Sequence, residues 1–419
     1  MSWALIRQAS VVFTIAATCE AAVGFQRLFP VHAQTANSTL QHDATAAERR
    51  IAFWNALPRH QTPIAMKTYG RLAASSSAPH YMIASLNLPF SALAVASNQV
   101  GQVLVRKAGI FGENYVAFTD ALQPPIPLSG KCPPACDPLG GGPYYTSQFI
   151  ATALNNRGQV VGEWVDHNQL RDGSTYTNGY FAQWQVYKNR NATLTQVLPR
   201  PVASPAVVAG GSSINDSGVA VGGGHGGAAE FYRRVITNFV PPRGFTISST
   251  SVNAISNSGA VVGQAMGNFG PRAVAFNLAS PSVLLPVHSP SSATATNING
   301  DVVGTSQIGN NGPVTFLLTQ HGTKYLPAPP PRQGCAEQYQ PVAVNDADQV
   351  VGDTFYFCQQ LVQQTSFLYS SGKTYDLVDL LPANANWQIV DVAGIDDRGE
   401  IVGNGYYKGT LEPFVMKLK

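Results

Sequence analysis

The hydrophobic positions of this chain form short runs separated by small polar turns, and one such unit recurs seven times. Each unit has an apolar segment, an Asn-x-x-Gly turn and a second segment that usually reads Val-Val-Gly. Asn or Asp opens a tight turn by bonding to nearby backbone, and Gly takes the left-handed conformation that the hairpin requires. We therefore predict a β-hairpin in every copy. The turns begin at Asn98, Asn155, Asn215, Ser256, Asn297, Asn345 and Asp396.

The sixth copy departs from this pattern because Asp348 stands where the other copies have Gly. Asp adopts the left-handed conformation more readily than most residues, so we expect the same hairpin there.

A second half follows each hairpin. It contains an aromatic strand and then a short strand that often ends in Pro, as with Phe316 and Leu326-Pro327 in the fifth copy. Four strands that repeat every 40 to 60 residues or so are typical of one propeller blade. The seven copies therefore predict an all-β, seven-bladed β-propeller.

The two ends of the repeat region complement each other. The seventh copy ends at Phe414-Val415 without a fourth strand, and an unassigned strand from Met82 to Pro89 precedes the first copy. We predict that this N-terminal strand completes the last blade and leaves no open sheet edge. A solenoid or a pair of sandwiches could also use hairpin repeats, but neither explains why the ends match. The propeller spans residues 80–419.

The repeat resembles that of the HAF-repeat family of probable extracellular proteins. That family combines the Asn-x-x-Gly-x-Val-Val-Gly hairpin with a downstream Ala-Phe strand, as in Ala275-Phe276. The resemblance implies an exported β-repeat protein and no established reaction. The literal His-Ala-Phe triplet is absent from this sequence.

The N-terminal region predicts export. Residues 1–33 contain Arg7, an apolar stretch from Ala9 to Thr18 and a small residue, Ala33, before the expected cleavage site. The stretch is too short to span a membrane, and lipid attachment at Cys19 is the minor alternative. Residues 34–79 form an extension with a short helix. We expect a monomer that is secreted or held in the periplasm or cell envelope, without a transmembrane segment after signal removal.

Four cysteines remain after signal removal, and an even number in an exported chain favours disulfides. We predict that Cys132 pairs with Cys136 and that Cys335 pairs with Cys358. A four-cysteine metal site is the rival interpretation, but the spacing lacks paired CxxC motifs. We expect no metal and no cofactor.

The composition excludes one class of partner. Charged residues make up only 12% of the chain, the net charge is +3, and no run of Lys or Arg occurs. We therefore expect no nucleic-acid binding. Carbohydrate and extracellular protein remain as possible partners.

Candidate site residues follow from the repeat. The residue after each Val-Val-Gly should lie near the mouth of the central channel, and the longer loops should share that face. The ring positions are Arg106, Glu163, Gly223, Gln264, Thr305, Asp353 and Asn404. Of these, Arg106, Glu163 and Asp353 are candidate ligand-binding residues, together with the loop residues Trp164, His167, Tyr356 and Tyr406.

Two functions compete on these residues. The first is a binding or scaffold module that presents its disulfide-stapled loops to a carbohydrate or a protein. The alternative is a glycan-active enzyme, in which Glu163 and Asp353 act as acid and base at the channel mouth. A structural envelope component without a ligand site is a third possibility. Strand ends are often polar simply because they meet water, which is the plainer explanation for both carboxylates.

Overall fold

The computed structural model describes residues 78–419 apart from 109–112, 121–122, 130–143, 170–174, 188–190, 199–209, 225, 310–311, 333 and 359–360. The predicted signal peptide and the predicted helix of the extension lie outside the described residues.

The described residues form 28 strands in seven four-stranded antiparallel sheets, and each sheet is one blade. The predicted seven-bladed propeller is confirmed. The first strand, β1 (Tyr81–Ser85), belongs to the last blade. Blade 1 has β2 (Ala92–Ser97), β3 (Gln102–Lys107), β4 (Asn114–Phe118) and β5 (Ile126–Pro127). Blade 2 has β6 (Tyr144–Leu154), β7 (Gln159–Gln169), β8 (Thr175–Val186) and β9 (Ala192–Leu198).

The next three blades have shorter strands than blade 2. Blade 3 has β10 (Gly210–Ile214), β11 (Ala220–Gly224), β12 (Gly227–Tyr232) and β13 (Val235–Asn238). Blade 4 follows a 3-10 turn (Ile247–Ser249) and has β14 (Thr250–Ile255), β15 (Val261–Gly267), β16 (Gly270–Ala275) and β17 (Val283–Leu284). Blade 5 has β18 (Ser291–Thr296), β19 (Val302–Gln307), β20 (Pro313–Thr319) and β21 (Gly322–Tyr325).

The last two blades complete the ring. Blade 6 has β22 (Ala336–Val344), β23 (Val350–Cys358), β24 (Leu361–Ser370) and β25 (Lys373–Asp376), followed by a 3-10 turn (Leu377–Leu380). Blade 7 has β26 (Trp387–Ile395), β27 (Ile401–Tyr407), β28 (Thr410–Leu418) and, as its outer strand, β1.

The N-terminal strand closes the ring as predicted. β1 pairs antiparallel with β28, from Tyr81 opposite Leu418 to Ser85 opposite Phe414. The pairing continues on both sides, because Leu86 N–H donates to the Pro413 carbonyl and Lys419 N–H to the His80 carbonyl. Strands from the two ends of the repeat region therefore share one sheet, and each of the seven described sheets has its outer strand.

The connections separate onto two faces of the ring. The Asn-x-x-Gly turns join the first and second strands of each blade, and we call their side the turn face. The hairpins between second and third strands, and the connections from one blade to the next, reach the opposite side, which we call the loop face. Strand lengths differ on that side: β7 and β8 have 11 and 12 residues, whereas β11 and β12 have 5 and 6.

The Val-Val pairs are explained by blade packing. Successive residues of a strand point to opposite faces, and each blade lies between two neighbours, so both valines are covered. Val160 and Val161 are completely buried, and so are Val350 and Val351. The hydrophobic core accordingly consists of layers between blades, for example Val303 and Leu317 of blade 5 against Phe367 of blade 6.

The glycine after Val-Val is required by a close approach of two strands. A β-bulge interrupts the first strand of every blade opposite this position, for example between Ala293 and Ala295. A Cβ on Gly304 would collide with the Ser292 carbonyl and would lie 2.7 Å from the Phe316 ring. The aromatic ring of the third strand therefore covers a glycine in the second, which links two separated parts of the sequence repeat.

The turn asparagines join neighbouring blades. Within each turn the side-chain oxygen accepts backbone N–H groups, as Asn345 does from Ala347 and Gln349 at 3.1 and 3.0 Å. The side-chain amide then donates to the carbonyl of the first residue in the next turn. Five such bonds of 2.8–3.4 Å are made by Asn98, Asn155, Asn215, Asn297 and Asn345.

A second set of bonds runs parallel to the first. The backbone N–H of the second turn residue donates to the side-chain oxygen of the second residue in the next turn, as Asp346 does to Asp397 at 3.0 Å. Six junctions carry this bond, including the Asp397 to Gln99 bond that closes the ring at 2.7 Å. Between the described turns of blades 4 and 5 neither bond forms, because Ser256 lacks an amide donor and Ile298 lacks a side-chain acceptor.

The left-handed turn position behaves as predicted. Six glycines occupy it with φ of 74–88°, and Asp348 occupies it in blade 6 with φ of 58°. In the described part of the chain, no helix is long and apolar enough to cross a membrane.

Asn345→Ala should lower the free energy of unfolding by about 1–3 kcal/mol, because it removes a buried donor and acceptor that join blades 6 and 7. Chemical denaturation measures this loss. Ser256→Ala is the matched control, since Ser256 holds the same turn position without an inter-blade amide bond, and it should cost clearly less. Equal losses in the two variants would show that the inter-blade bond contributes nothing.

Candidate functional site

Four of the polar residues that follow Val-Val-Gly are buried, namely Arg106, Glu163, Asp353 and Asn404, whereas Gln264 and Thr305 are half-buried. The sequence predicts these positions near the mouth of the channel. The structure shows in addition that the side chains of Asp353 and Asn404 contact the first strand of the next blade.

Asn404 and Asp353 show what these side chains contact. Asn404 Oδ1 accepts the Ala94 N–H at 2.7 Å, and its Nδ2 donates to the Ala94 carbonyl at 3.1 Å. Asp353 Oδ1 accepts the Val392 N–H at 3.0 Å and the Ser366 hydroxyl at 3.1 Å. Ala94 and Val392 occupy equivalent positions beside the β-bulge of their own blades.

The bulge explains why a buried polar group is needed there. It turns backbone polar groups of the first strand away from their own sheet, and a buried backbone group needs a partner. For the bulge of blade 2 the partner is Asn114 of blade 1, whose Nδ2 donates to the Phe149 carbonyl at 2.6 Å. Its Oδ1 accepts the Ala151 N–H at 3.4 Å. No sequence signal marked Asn114, because its role depends on the bulge of the neighbouring blade.

The two candidate catalytic carboxylates lie in different blades. Glu163 is in blade 2 and Asp353 is in blade 6, and blades 7 and 1 separate them on the shorter way around the ring. Asp353 is held by two donors that belong to the protein itself. The geometry therefore favours inter-blade support over acid–base chemistry for Asp353. The two carboxylates do not share a blade.

The aromatic candidates are also mostly covered. Trp164 is 3% exposed and lies 6.0 Å from the Phe149 ring, and Tyr356 is 1% exposed. Tyr406 is partly exposed in β27. His167 lies in β7, opposite Thr146 and Thr177, and its side chain lies outside the described residues.

The Cys335–Cys358 disulfide is confirmed, and it lies on the loop face of blade 6. It joins the residue before β22 to the last residue of β23, so it closes the open end of the inner hairpin of that blade. The predicted Cys132–Cys136 pair lies outside the described residues. Among the described residues no group of three or more His, Cys, Asp or Glu side chains could hold a metal ion.

A polar cluster surrounds this disulfide. The Arg332 guanidinium lies 4.3 Å from the Tyr356 ring, donates to Gln363 Oε1 at 2.7 Å and pairs with Asp376 Oδ2 at 3.4 Å. Burial raises the pKa of the Asp376 carboxyl, and the Arg332 charge opposes that shift. Burial and the charge of Asp376 raise the pKa of Tyr356 to about 12, so its hydroxyl remains a donor.

The loop face also exposes large apolar side chains. Phe269, at the tip of the hairpin between β15 and β16, is 92% exposed. Met266 is exposed beside it, and Ile247 is exposed in the connection that enters the same blade. Blade 6 exposes Phe357 and its cross-strand partner Val362. Exposed apolar groups that lie next to one another are typical of surfaces that contact other proteins. The turn face also exposes apolar side chains, among them Val100 and Ile298.

Comparisons with known proteins found only distant similarity. No family model and no curated protein matches the chain. Among solved structures, Trypanosoma rangeli sialidase is similar with a TM-score of 0.34 and 9% identity over 81% of this chain and 59% of that one. This chain therefore matches about three fifths of the sialidase's length. A structure titled YCF48 bound to D1 peptide has a TM-score of 0.41 and 10% identity over 84% of this chain and all of that one. A putative oxidoreductase (glucose dehydrogenase) of Thermus thermophilus has a TM-score of 0.34 and 9% identity over 80% and 99% of the two chains.

A cavity lies on the turn face between blades 5 and 6. Its volume is about 620 Å³, and its lining includes His321, Lys324, Asp348, Tyr369 and Ser371. Asp348 also faces Asp301 of blade 5. At the equivalent position of blade 7, Gly399 faces Gln349 of blade 6, so one junction has a carboxyl pair where another has an amide and a glycine.

The carboxyl pair changes the protonation of Asp348. Burial raises the pKa of Asp348, the charge of Asp301 and a hydrogen bond to Asp301 raise it further, and His321 opposes the shift. A raised pKa in the folded state stabilises the fold at low pH, and this contribution is lost as the pH rises through the raised pKa.

Asp353→Ala should lower the free energy of unfolding by about 1–3 kcal/mol, because it leaves the Val392 N–H and the Ser366 hydroxyl buried without their acceptor. Asp353→Asn keeps the Oδ1 acceptor and should stay close to the wild type. Denaturation of the two variants measures the difference. An Asn variant as unstable as the Ala variant would mean that the charge, and not the acceptor, is what the site requires.

Asp348→Gly should raise stability at neutral pH by about 1 kcal/mol, since glycine takes the left-handed conformation without a steric cost. It should also flatten the decline in stability that the wild type shows as the pH rises through the raised Asp348 pKa. Asp301→Asn is the control, because it removes the facing charge and keeps the backbone strain. It should flatten the pH profile only in part, because burial, the largest cause of the raised Asp348 pKa, remains. It should bring no backbone gain. Unfolding curves between acidic and neutral pH measure both effects, and an unchanged profile in both variants would contradict the carboxyl pair.

Proposed function

We propose that this chain is an exported binding protein that presents its loop face to another extracellular protein. The observation that carries the proposal is the Cys335–Cys358 disulfide, which fixes the loop side of blade 6. Disulfides form and persist mainly in oxidising compartments, so the bond supports the predicted signal peptide of residues 1–33. Membership of the HAF-repeat family is part of the same proposal and is supported by the seven turn repeats.

A protein partner fits the loop face better than a carbohydrate does. The aromatic candidates Trp164 and Tyr356 are buried, so neither offers a ring face to a sugar. The exposed groups on that face are instead the apolar side chains of Phe269, Phe357 and Val362. Buried aromatic anchors at the centre of a protein interface supply much of its binding energy.

The turn face serves a different purpose in this proposal. Its Asn-x-x-Gly turns bond to one another around the ring, so their polar groups are already engaged. The loop face differs from blade to blade in strand length and in exposed side chains, which suits recognition of one partner.

A photo-crosslinking amino acid placed at Phe269 or Phe357 of the exported full chain tests the proposal. We expect a specific protein adduct from these loop-face positions and none from Val100 or Ile298, which are comparably exposed positions on the turn face. A glycan array run with the same protein should give no specific signal. Adducts from the turn face alone, or a specific glycan signal, would overturn the proposal.

Export has a separate measurement. Mass spectrometry of the exported protein, alkylated under denaturing conditions without reductant, should find Cys335 and Cys358 unlabelled and joined. Free thiols at both positions in the exported protein would contradict the oxidising compartment.

A further inference from the structure

Residues 326–332, which we call the strap, connect blade 5 to blade 6 on the loop face. Their sequence is Leu-Pro-Ala-Pro-Pro-Pro-Arg. The strap follows β21 and precedes the disulfide-bonded Cys335. Its first residue still bonds to blade 5, because Leu326 N–H donates to the Thr315 carbonyl at 2.9 Å. The rest of the strap belongs to neither sheet, and its backbone groups must find other partners.

Local chemistry holds the strap in an extended helix. Each proline fixes its own φ near the polyproline II value, and each residue that precedes a proline is restricted to the β or polyproline II region. Both restrictions act on Pro329 and Pro330, and Ala328 also precedes a proline. These restrictions favour polyproline II geometry, with three residues per turn.

The burial pattern of the strap shows this period of three. Leu326 and Pro329 are buried, and Arg332 is half-buried. These three residues form the ridge that faces the protein. The remaining four residues point outward and are exposed, and they are Pro327, Ala328, Pro330 and Pro331.

Three hydroxyl groups fix the strap against blade 6. Tyr339 donates to the Leu326 carbonyl at 3.2 Å, and Tyr356 donates to the Pro330 carbonyl at 3.1 Å. The third bond, from the Thr374 hydroxyl to the Pro327 carbonyl, is 2.7 Å long. Both tyrosine rings are buried, so the donors are themselves held in place.

The end of the strap is tied down as well. Arg332 is engaged by Gln363 and Asp376, and its carbonyl accepts the Cys335 N–H at 3.2 Å. The disulfide then joins Cys335 to β23. Both ends and the middle of the strap are thus fixed before any partner arrives.

We propose that the strap is the docking ligand for a partner protein whose groove is lined by aromatic side chains. Such grooves bind polyproline II segments through prolines three residues apart, and Pro327 and Pro330 have that spacing on the exposed side. The inference rests on the proposed function, because it names the partner of the same loop face.

The fixed conformation is what makes the strap suited to this role. A flexible proline-rich peptide loses conformational freedom when it binds, whereas this strap is already ordered by its hydrogen bonds and the disulfide. Arg332 is committed to blade 6, so recognition depends on the outward prolines and not on a charge.

The experiment places a photo-crosslinker at Pro331 of the exported full chain. We expect a protein adduct that is displaced by a synthetic peptide of the strap sequence, and not by the same peptide with alanine in place of Pro327 and Pro330. Pro327→Ala and Pro330→Ala in the full chain should each lower the adduct yield about tenfold, the effect of losing one anchoring contact. Pro382→Ala is the matched control, since Pro382 is an exposed proline in the next inter-blade connection, and it should leave the yield unchanged.

The disulfide supplies a second variant that keeps every proline. The double variant Cys335→Ser/Cys358→Ser should lower the yield of the Pro331 adduct several-fold at the same protein concentration, because the strap is no longer fixed before the partner binds. The unfolding midpoint of each variant is measured beside the yield, and only variants that remain folded at the assay temperature are compared.

The outcomes separate this inference from the proposed function. Adducts at Phe269 or Phe357 with none at Pro331 would overturn the strap proposal and leave the loop face as the binding surface. An adduct at Pro331 that neither peptide displaces would also overturn it. The absence of adducts at all three positions would overturn both proposals.

Discussion

The structure depends on one interaction, the hydrogen bond from a turn asparagine of one blade to the turn backbone of the next. The same side chain satisfies its own turn through its oxygen and reaches the neighbouring turn through its amide. An aspartate can do the first and not the second. Asp396 accepts from Arg398 and Glu400 N–H, and its junction with blade 1 keeps only the second type of bond, from Asp397 N–H to the Gln99 side chain. The motif that folds a hairpin locally is thus also the motif that sets the spacing of the blades.

A second constraint acts one layer deeper, at the β-bulge of each first strand. The bulge brings the strand so close to its neighbour that only glycine fits in most blades, and in blades 5, 6 and 7 an aromatic ring of the third strand covers the space. It also turns backbone groups toward the preceding blade, which must supply a buried polar side chain. Asn404 and Asp353 perform this task from the second strand, and Asn114 performs it from the third. Two of the ring residues that the sequence marks as candidates therefore also act as connections between sheets.

Features that depend on residues close together in the sequence or on its repeats could be predicted, whereas contacts between one blade and the next could not. The hairpins, the left-handed Asp348, the closure by β1 and the Cys335–Cys358 bond could be predicted, because turn chemistry, strand counting and cysteine pairing are visible in the sequence. The burial of Glu163, Trp164 and Tyr356 could not, because it depends on the neighbouring blade and on the strap that covers blade 6. Asn114 was missed for the same reason. The turn repeat determines the ring of blades, and the residues that differ between copies determine what the surface exposes.

The junction between blades 4 and 5 stands apart from the others, since neither turn bond crosses it. Blades 7 and 1, which join the two ends of the chain, keep one turn bond, and β1 fastens the start of the propeller into the last sheet. The weakest seam on the turn face is therefore not the place where the chain closes, but a place where the polypeptide runs on without a break. Under a pulling force, blades 4 and 5 would therefore separate on this face before blades 7 and 1, and the two chain ends would stay joined.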